Sequence, residues 1–213
     1  MTIWTQTRFG KAFDLVNPDP ALIDFGEIAL TLAELPRYAA NFEKPITVAM
    51  HTLIAMAAAD PDDLPYVLIH DAHEAFMGDI TAPTAQALGA IAGAAHGQSA
   101  SLAVKFAIDD LKARLDAAIH HAAGLALPSA VRRERIRRAD LIALQTERRD
   151  FLAHTPKPWA ASIEAFGPLR KKYRMRPPAI VAEELHARFN TYLPALRRRP
   201  SKDGLHTTPY SMA

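Results

Sequence analysis

Leu64-Pro65-Tyr66-Val67-Leu68-Ile69-His70-Asp71-Ala72-His73-Glu74-Ala75-Phe76 joins an apolar run to a cluster of ionisable side chains. A proline is tolerated in the first turn of a helix, where its missing N–H would have no partner anyway. The spacing therefore predicts a helix from about Asp63 or Leu64 to about Phe76, and a loop after it at Gly78, Asp79, Thr81 and Pro83. His70 and Asp71 come directly after four apolar residues, so a helix that buries those residues also draws an imidazole and a carboxylate out of water. Buried ionisable groups need partners, and an unpaired one costs several kcal/mol.

Working outward, the same texture recurs. Glu27 to Leu35, with Ile28, Leu32 and Leu35 at helical spacing, predicts a short amphipathic helix stopped by Pro36. Pro45 to Ala59 is nearly free of charge and predicts a largely buried helix that contains His51. Residues 84–100 are rich in Ala, Gly and Ser and have weak periodicity. Beyond them, Leu102, Phe106, Ile108, Leu111, Leu115 and Ile119 mark a helix over Ser101 to Ala123, ending at Gly124. Ser129 is placed to cap a helix from Ala130 to about Leu152, which carries Asp140, and Ala179 to Leu196 reads as a final helix. Residues 1–25 hold the turn cluster Asn17-Pro18-Asp19-Pro20 and read as an irregular or short-strand arm. No period-2 strand pair and no repeat is visible, so the expected fold is all-α: one domain over 1–196 with five or more helices around one core. A basic, then polar, tail over 197–213 is expected to be disordered.

Composition narrows the chemistry. The 213 residues include no cysteine, which excludes disulfides, thiolate zinc sites, iron–sulfur clusters and cysteine nucleophiles. The most apolar run, Val48 to Ala59, falls short of the about 20 residues of a membrane span, and the first residues lack a secretion signal. The expected location is the cytoplasm. The formal charge is +2, with basic residues gathered in Arg132-Arg133, Arg137-Arg138, Lys171-Lys172 and Arg197-Arg198-Arg199. The charge is concentrated in these clusters rather than interleaved with aromatics, so they read as solvated helix faces and a tail rather than a nucleic-acid surface.

His51, His70, Asp71 and Asp140 all sit in segments that should otherwise be buried. Each could find a separate hydrogen bond. One divalent cation would satisfy all four at once, and nitrogen and oxygen donors without thiolate suit Mn, Co, Fe, Ni, Zn or Mg. Neighbours on a helix diverge by about 100°, which still lets His70 and Asp71 reach a metal on one side.

The order His51, His70-Asp71, Asp140 resembles the H…HD…D signature of the HD-domain phosphohydrolases. The resemblance is carried further by Arg37-Tyr38, by Thr47-Val48-Ala49-Met50-His51, by the run from Leu68 through His70-Asp71-Ala72-His73-Glu74 to Asp79 and Pro83, and by Arg138-Ala139-Asp140 with Thr146-Glu147-Arg148-Arg149-Asp150. Among HD proteins it is similar to the bacterial 5′-deoxynucleotidases and their phage and proteobacterial relatives, over about Trp4 to Leu193. The resemblance implies that His51, His70, Asp71 and Asp140 hold one divalent metal. It implies that Arg37 contacts a substrate phosphate, with the planar fork of donors a guanidinium offers. Tyr38 would crowd the sugar 2′ position, Glu74 would exchange protons near the metal, and Asp79 would act at the substrate end. Structural readings stand beside these: a surface arginine after Pro36, a carboxylate at 74 that orients His70, and a turn residue at 79. His73 is expected to face away from the metal, and His120 and His121 to lie on the surface.

The function expected from the resemblance is metal-assisted removal of phosphate from deoxynucleoside 5′-monophosphates, by a homodimer. The alternatives are a deoxynucleoside triphosphohydrolase releasing tripolyphosphate, and a non-catalytic helical binding module with a vestigial metal site. Hydrolysis of guanosine tetraphosphate is disfavoured, because the Glu-Asp pair that follows the HD motif in those enzymes is not found here.

Overall fold

The computed structural model describes residues 3–197. The expected tail from 198 onward lies outside them, and Arg197, placed in that tail by sequence, instead closes a short helix.

The described residues begin with a hairpin where the sequence predicts an irregular or short-strand arm. Strand β1 (Trp4–Gln6) pairs antiparallel with β2 (Ala12–Asp14), Thr5 facing Phe13. Three residues per strand are too few to display an alternating pattern. The turn between them is held by the Gly10 N–H on the Thr7 carbonyl, with Gly10 at φ 80. Phe13 is fully buried and stacks on Phe76, ring centroids 4.2 Å apart, which fastens the arm to the helical body.

Helix α1 (Phe25–Glu34) starts where the Asp24 carboxylate accepts from the N–H groups of Gly26 and Glu27. It buries Ile28, Ala29, Leu32 and Ala33 and ends before Pro36, as the periodicity predicts. Helix α2 (Val48–Ala58) begins later than expected, because Thr47 caps it by accepting from Met50 N–H. Its residues Val48 to Thr52 and Ile54 to Met56 are buried.

The single helix predicted over 63–76 is instead two short pieces, α3 (Leu64–Val67) and α4 (Glu74–Met77). Between them the chain tightens. The N–H groups of His70, Ala72, Glu74 and Ala75 bond to carbonyls three residues back. Three-residue winding aligns positions i and i+3 rather than i and i+4.

The Ala/Gly-rich segment becomes α5 (Ala82–His96), capped by Thr81. Gly97 at φ 86 reverses the chain into α6 (Gln98–Ala123), which stops at Gly124. Helix α5 packs chiefly on α6 and buries only Gly89, while α6 buries only its C-terminal part, Leu115 to Ala123. Leu88, Ile91, Leu102 and Phe106 consequently face outward. Helix α7 (Ala130–Phe151) is capped by Ser129 as predicted, and α8 (Ala161–Glu164) lies against it. The expected final helix is broken at Leu193 into α9 (Pro178–Tyr192) and α10 (Pro194–Arg197), because Pro194 cannot continue it.

One core unites these helices, with Phe25, Ile28, Leu32, Ile54, Ile69, Ile119, Leu185 and Phe189 in it. The described residues are mostly helical, with one small two-stranded sheet. Among the described residues no helix is long and apolar enough to cross a membrane.

Asp63 fastens the entry to α3. Its buried carboxylate accepts from Arg132 Nε at 3.0 Å and from Arg135 Nε and Nη2, so two cations of α7 hold the segment that carries His70 and Asp71. Hydrogen bonds from Arg135 hold the Asp63 carboxyl below its ordinary value, outweighing its burial. A carboxyl lowered by folding stabilises the fold above its unfolded value, and that stabilisation is lost as pH falls toward the folded one. Asp63→Ala is expected to lower the Tm at pH 7 by about 2–4 °C, as for a loss of about 1 kcal/mol in a chain of this size. The difference from the parent protein should shrink below pH 4. Equal melting temperatures at pH 7 would remove this anchor from the account.

Candidate metal centre

The chain leaves α1 at Pro36, which forms an isolated bridge with Thr47, while Arg37 N–H bonds to the Ile46 carbonyl at 3.1 Å. This clasp brings Arg37 beside the first turns of α2. Next come three left-handed residues without a glycine: Tyr38 at φ 56, Ala39 at φ 49 and Ala40 at φ 63. Such a conformation costs a non-glycine residue roughly 1–2 kcal/mol and persists only where the surroundings fix it. Ala40 N–H bonds to the Arg37 carbonyl, and the Asn41 backbone and side chain both donate to the Tyr38 carbonyl.

Arg37, Tyr38 and His51 converge on one carboxylate, Glu147 of α7, which is completely buried. Arg37 Nε donates to its Oε2 at 3.1 Å, Tyr38 hydroxyl to the same oxygen at 2.5 Å, and His51 Nδ1 to Oε1 at 2.5 Å. Burial alone would raise the Glu147 carboxyl, but the charges of Arg37 and His51 prevail and bring it down to about 2. A carboxylate only accepts, so His51 Nδ1 carries the hydrogen and His51 Nε2 is left facing the interior of the site. Burial also pushes up the Tyr38 phenol, beside the Glu147 charge. Sequence reading gave Glu147 no role of its own. Its signal is weak: Glu147 lies seven residues after Asp140, two turns along the same face of α7.

His70 is fixed in the same manner. Its Nδ1 donates to the Val67 carbonyl at 2.6 Å, and its Nε2 lies 3.2 Å from His51 Nε2. Asp71 Oδ2 is 3.2 Å from His70 Nε2, 3.4 Å from His51 Nε2 and 3.6 Å from Arg37 Nη1. Asp140 Oδ1 approaches His51 Nε2 at 3.1 Å from the more open side. Two imidazole nitrogens whose partner nitrogens are already engaged cannot face each other at this distance without a proton or a cation between them. Burial and Arg37 lower the His51 imidazole, yet Glu147 and Asp140 lift it to about 10. His70 is raised too: burial opposes the Asp71 charge and loses. Asp71 falls well below the usual carboxylate range, its burial outweighed by the charges of His70, His51 and Arg37.

Donor atoms of His51, His70 and Asp71 all lie within 4.8 Å of one another and could hold a metal ion. Three of the four ligands expected from sequence thus come together as one group, and Asp140 joins through its contact with His51. The donor set fits a divalent cation. It offers two imidazole nitrogens oriented by hydrogen bonds at their far side, together with carboxylates.

Glu74 lies on α4, buried, with Oε2 lacking any hydrogen-bond partner. Burial and the charges of Asp71 and Asp79 raise its carboxyl to about 9. The sequence placed Glu74 above His70 by a four-residue turn. The tighter winding instead aligns it with Asp71, three residues earlier. Asp79 is half-buried in the loop after Gly78, near enough for its charge to reach Glu74. His73 lies outside the His51, His70 and Asp71 group, as expected, whereas His120 departs from its surface reading. His73 is buried, with its Nδ1 3.0 Å from Asp116 Oδ1, and it forms a second close group with Asp71 and Glu74. His120 is also buried, bonding to the Asp116 carbonyl at 2.8 Å, whereas His121 is exposed.

Fold and site together define a helical protein with buried His/Asp groups able to hold a metal ion. No protein-family model matches the chain. Over 151 residues it is 30% identical to the uncharacterized protein YfdR of Escherichia coli strain K12, a match spanning 68% of this chain and 71% of that protein. The chain belongs to the same family as YfdR.

Removing one member of a buried ionic group typically costs about 3–5 kcal/mol, because the others are left uncompensated. Glu147→Gln keeps the shape and deletes the charge that Arg37 and His51 share. Calorimetry on chelator-treated protein should show a Tm about 10 °C below the parent. A shift of a degree or less would mean that Glu147 does not hold this cluster together.

Proposed function

We propose that this protein is a divalent-metal-dependent phosphohydrolase of the HD type acting on nucleotides, most readily removing phosphate from deoxynucleoside 5′-monophosphates. The reading is carried by one observation: a buried arginine lies directly against the His51, His70 and Asp71 group, Arg37 Nη1 standing 3.6 Å from Asp71 Oδ2. A cation site with a guanidinium at its edge is suited to an anionic ester whose oxygens meet both. The order of His51, His70-Asp71 and Asp140, with its resemblance to HD-domain phosphohydrolases, supports the same reading.

His51, His70, Asp71 and Asp140 would hold the cation, with Mn, Co, Zn, Mg, Fe and Ni all compatible with the donors. When bound, it supplies Lewis-acid polarisation of the phosphoryl group and a source of hydroxide at neutral pH. Arg37 binds phosphate oxygens through the donors not used by Glu147 and offsets charge that develops on them. Glu74 is placed beside Asp71 to hand a proton to the departing sugar oxygen, and Asp79, close enough to Glu74 to act on it by charge, faces the substrate end. Tyr38 limits the space for the sugar 2′ substituent. Its hydroxyl is engaged by Glu147, so the ring rather than the hydroxyl meets the sugar. We extend the proposal to a homodimer, supported by the outward apolar side chains Leu88, Ile91, Leu102 and Phe106.

The test is phosphate release from a panel of deoxy- and ribonucleoside mono-, di- and triphosphates, using chelator-stripped protein resupplied with single divalent cations. Orthophosphate from deoxynucleoside monophosphates is expected. Tripolyphosphate from a triphosphate would move the assignment to the triphosphohydrolase alternative, and silence with every cation would favour a binding module. Asp140→Ala should weaken cation retention and cut kcat/KM by at least about 100-fold. Glu74→Ala should keep the cation at the His51, His70 and Asp71 group while losing about 100- to 10,000-fold in turnover. Full metal content and full rate in Asp140→Ala would overturn the ligand assignment.

A further inference from the structure

His73 and Glu74 carry the two buried side-chain atoms that lack any hydrogen-bond partner among the described residues, His73 Nε2 and Glu74 Oε2. Leaving such atoms unpaired costs about 1–3 kcal/mol each, so a pair of them in one place calls for an occupant. They belong to one cluster: donor atoms of Asp71, His73 and Glu74 lie within 4.8 Å of one another.

The tautomer of His73 is set from outside. Asp116 of α6 lies 3.0 Å from His73 Nδ1, its carboxylate side chain about one-third exposed. A carboxylate accepts, which places the hydrogen on Nδ1 and leaves a lone pair on Nε2. A carboxylate behind an imidazole is the arrangement by which metal-binding histidines are oriented and made more basic. Asp71 offers the link to the first group. Its Oδ2 faces His51, His70 and Arg37, and a carboxylate has a second oxygen. The chain winding supplies the alignment, since Asp71 and Glu74, three residues apart, point to the same side.

We propose that Asp71, His73 and Glu74 form a second divalent-cation site adjoining the His51, His70 and Asp71 group, with Asp71 shared between the two. Three protein ligands leave coordination positions open, the arrangement of a site that also takes water or phosphate oxygens. Glu74 meets this cation in the doubly loaded protein and its proton in the singly loaded one. The inference rests on the metal reading of the first group through the shared Asp71.

The experiment is titration of the chelator-stripped full chain with Mn(II), counting bound metal by mass spectrometry after equilibrium dialysis and recording electron paramagnetic resonance spectra. The parent should bind two Mn(II) per chain at saturation and show a broadened spectrum of two coupled ions. His73→Gln and Glu74→Gln should each bind one, with the six-line signal of an isolated ion, and Glu74→Gln carries the test alone if circular dichroism finds His73→Gln unfolded. Asp116→Asn should keep both sites while weakening one about 10- to 100-fold. One Mn(II) in the parent, unchanged in these variants, would overturn the second site alone and assign the two unpaired atoms to water. No Mn(II) bound at all would overturn both this site and the metal reading of the first.

Discussion

A fully buried carboxylate must be surrounded by charge or hydrogen bonds, and Glu147 obtains both from three directions. Arg37 and Tyr38 come from the clasp after α1, and His51 comes from α2, while Glu147 itself belongs to α7. The elements that build the site therefore cannot settle independently. If α7 turned on its axis, Arg37 and His51 would be left as buried cations, which is expensive in a medium of low polarity. The same constraint fixes the chemistry. With Nδ1 of His51 given to Glu147 and Nδ1 of His70 given to a backbone carbonyl, the ring nitrogens that these two histidines have left are the pair that face each other. The left-handed turn at Tyr38, Ala39 and Ala40 is part of that arrangement, because it reverses the chain directly after Arg37.

Much of this was legible in the sequence, for one reason: an ionisable residue inside an apolar helix is conspicuous. His51 within Val48 to Ile54, and His70-Asp71 after Tyr66 to Ile69, stood out on that ground, and the structure brings them together. The helix start capped by Ser129 and the helix end at Gly124 also fall where the pattern places them, whereas α1 starts two residues before the expected Glu27, at Phe25 behind its Asp24 cap. Glu147 is not legible in the sequence because its neighbours Arg148, Arg149 and Asp150 give it the texture of a solvated face, and only tertiary packing turns it inward. The link between His73 and Asp116 spans 43 positions, beyond any local pattern. Nor does any glycine or proline between Tyr66 and Met77 announce that the chain will tighten there.

That tightening is the step from fold to function. A regular helix over 63–76 would place Glu74 above His70 and leave His73 on another face. The three-residue winding between α3 and α4 stacks Glu74 on Asp71 instead, donor atoms of His73 lie close to both, and Asp63 with its two arginines holds the start of the segment in place. Backbone regularity is given up here where the placement of ionisable side chains matters.

Helix α6 has two halves with different surroundings. Its C-terminal part buries Leu115, Ala118, Ile119 and Ala123 and includes Asp116, which grips His73, whereas its N-terminal part has no buried residue, packs chiefly on α5 and exposes Leu102 and Phe106. One continuous helix thus has one end that opens only when the whole protein unfolds and another that can fray by itself. Amide hydrogens along it should exchange on a gradient, fast near Ser101 and slow near Ile119. Insertions or a fused tag near Gly97 should then be absorbed by the outer half of the hairpin without disturbing Asp116, making that tip the natural place to attach a probe.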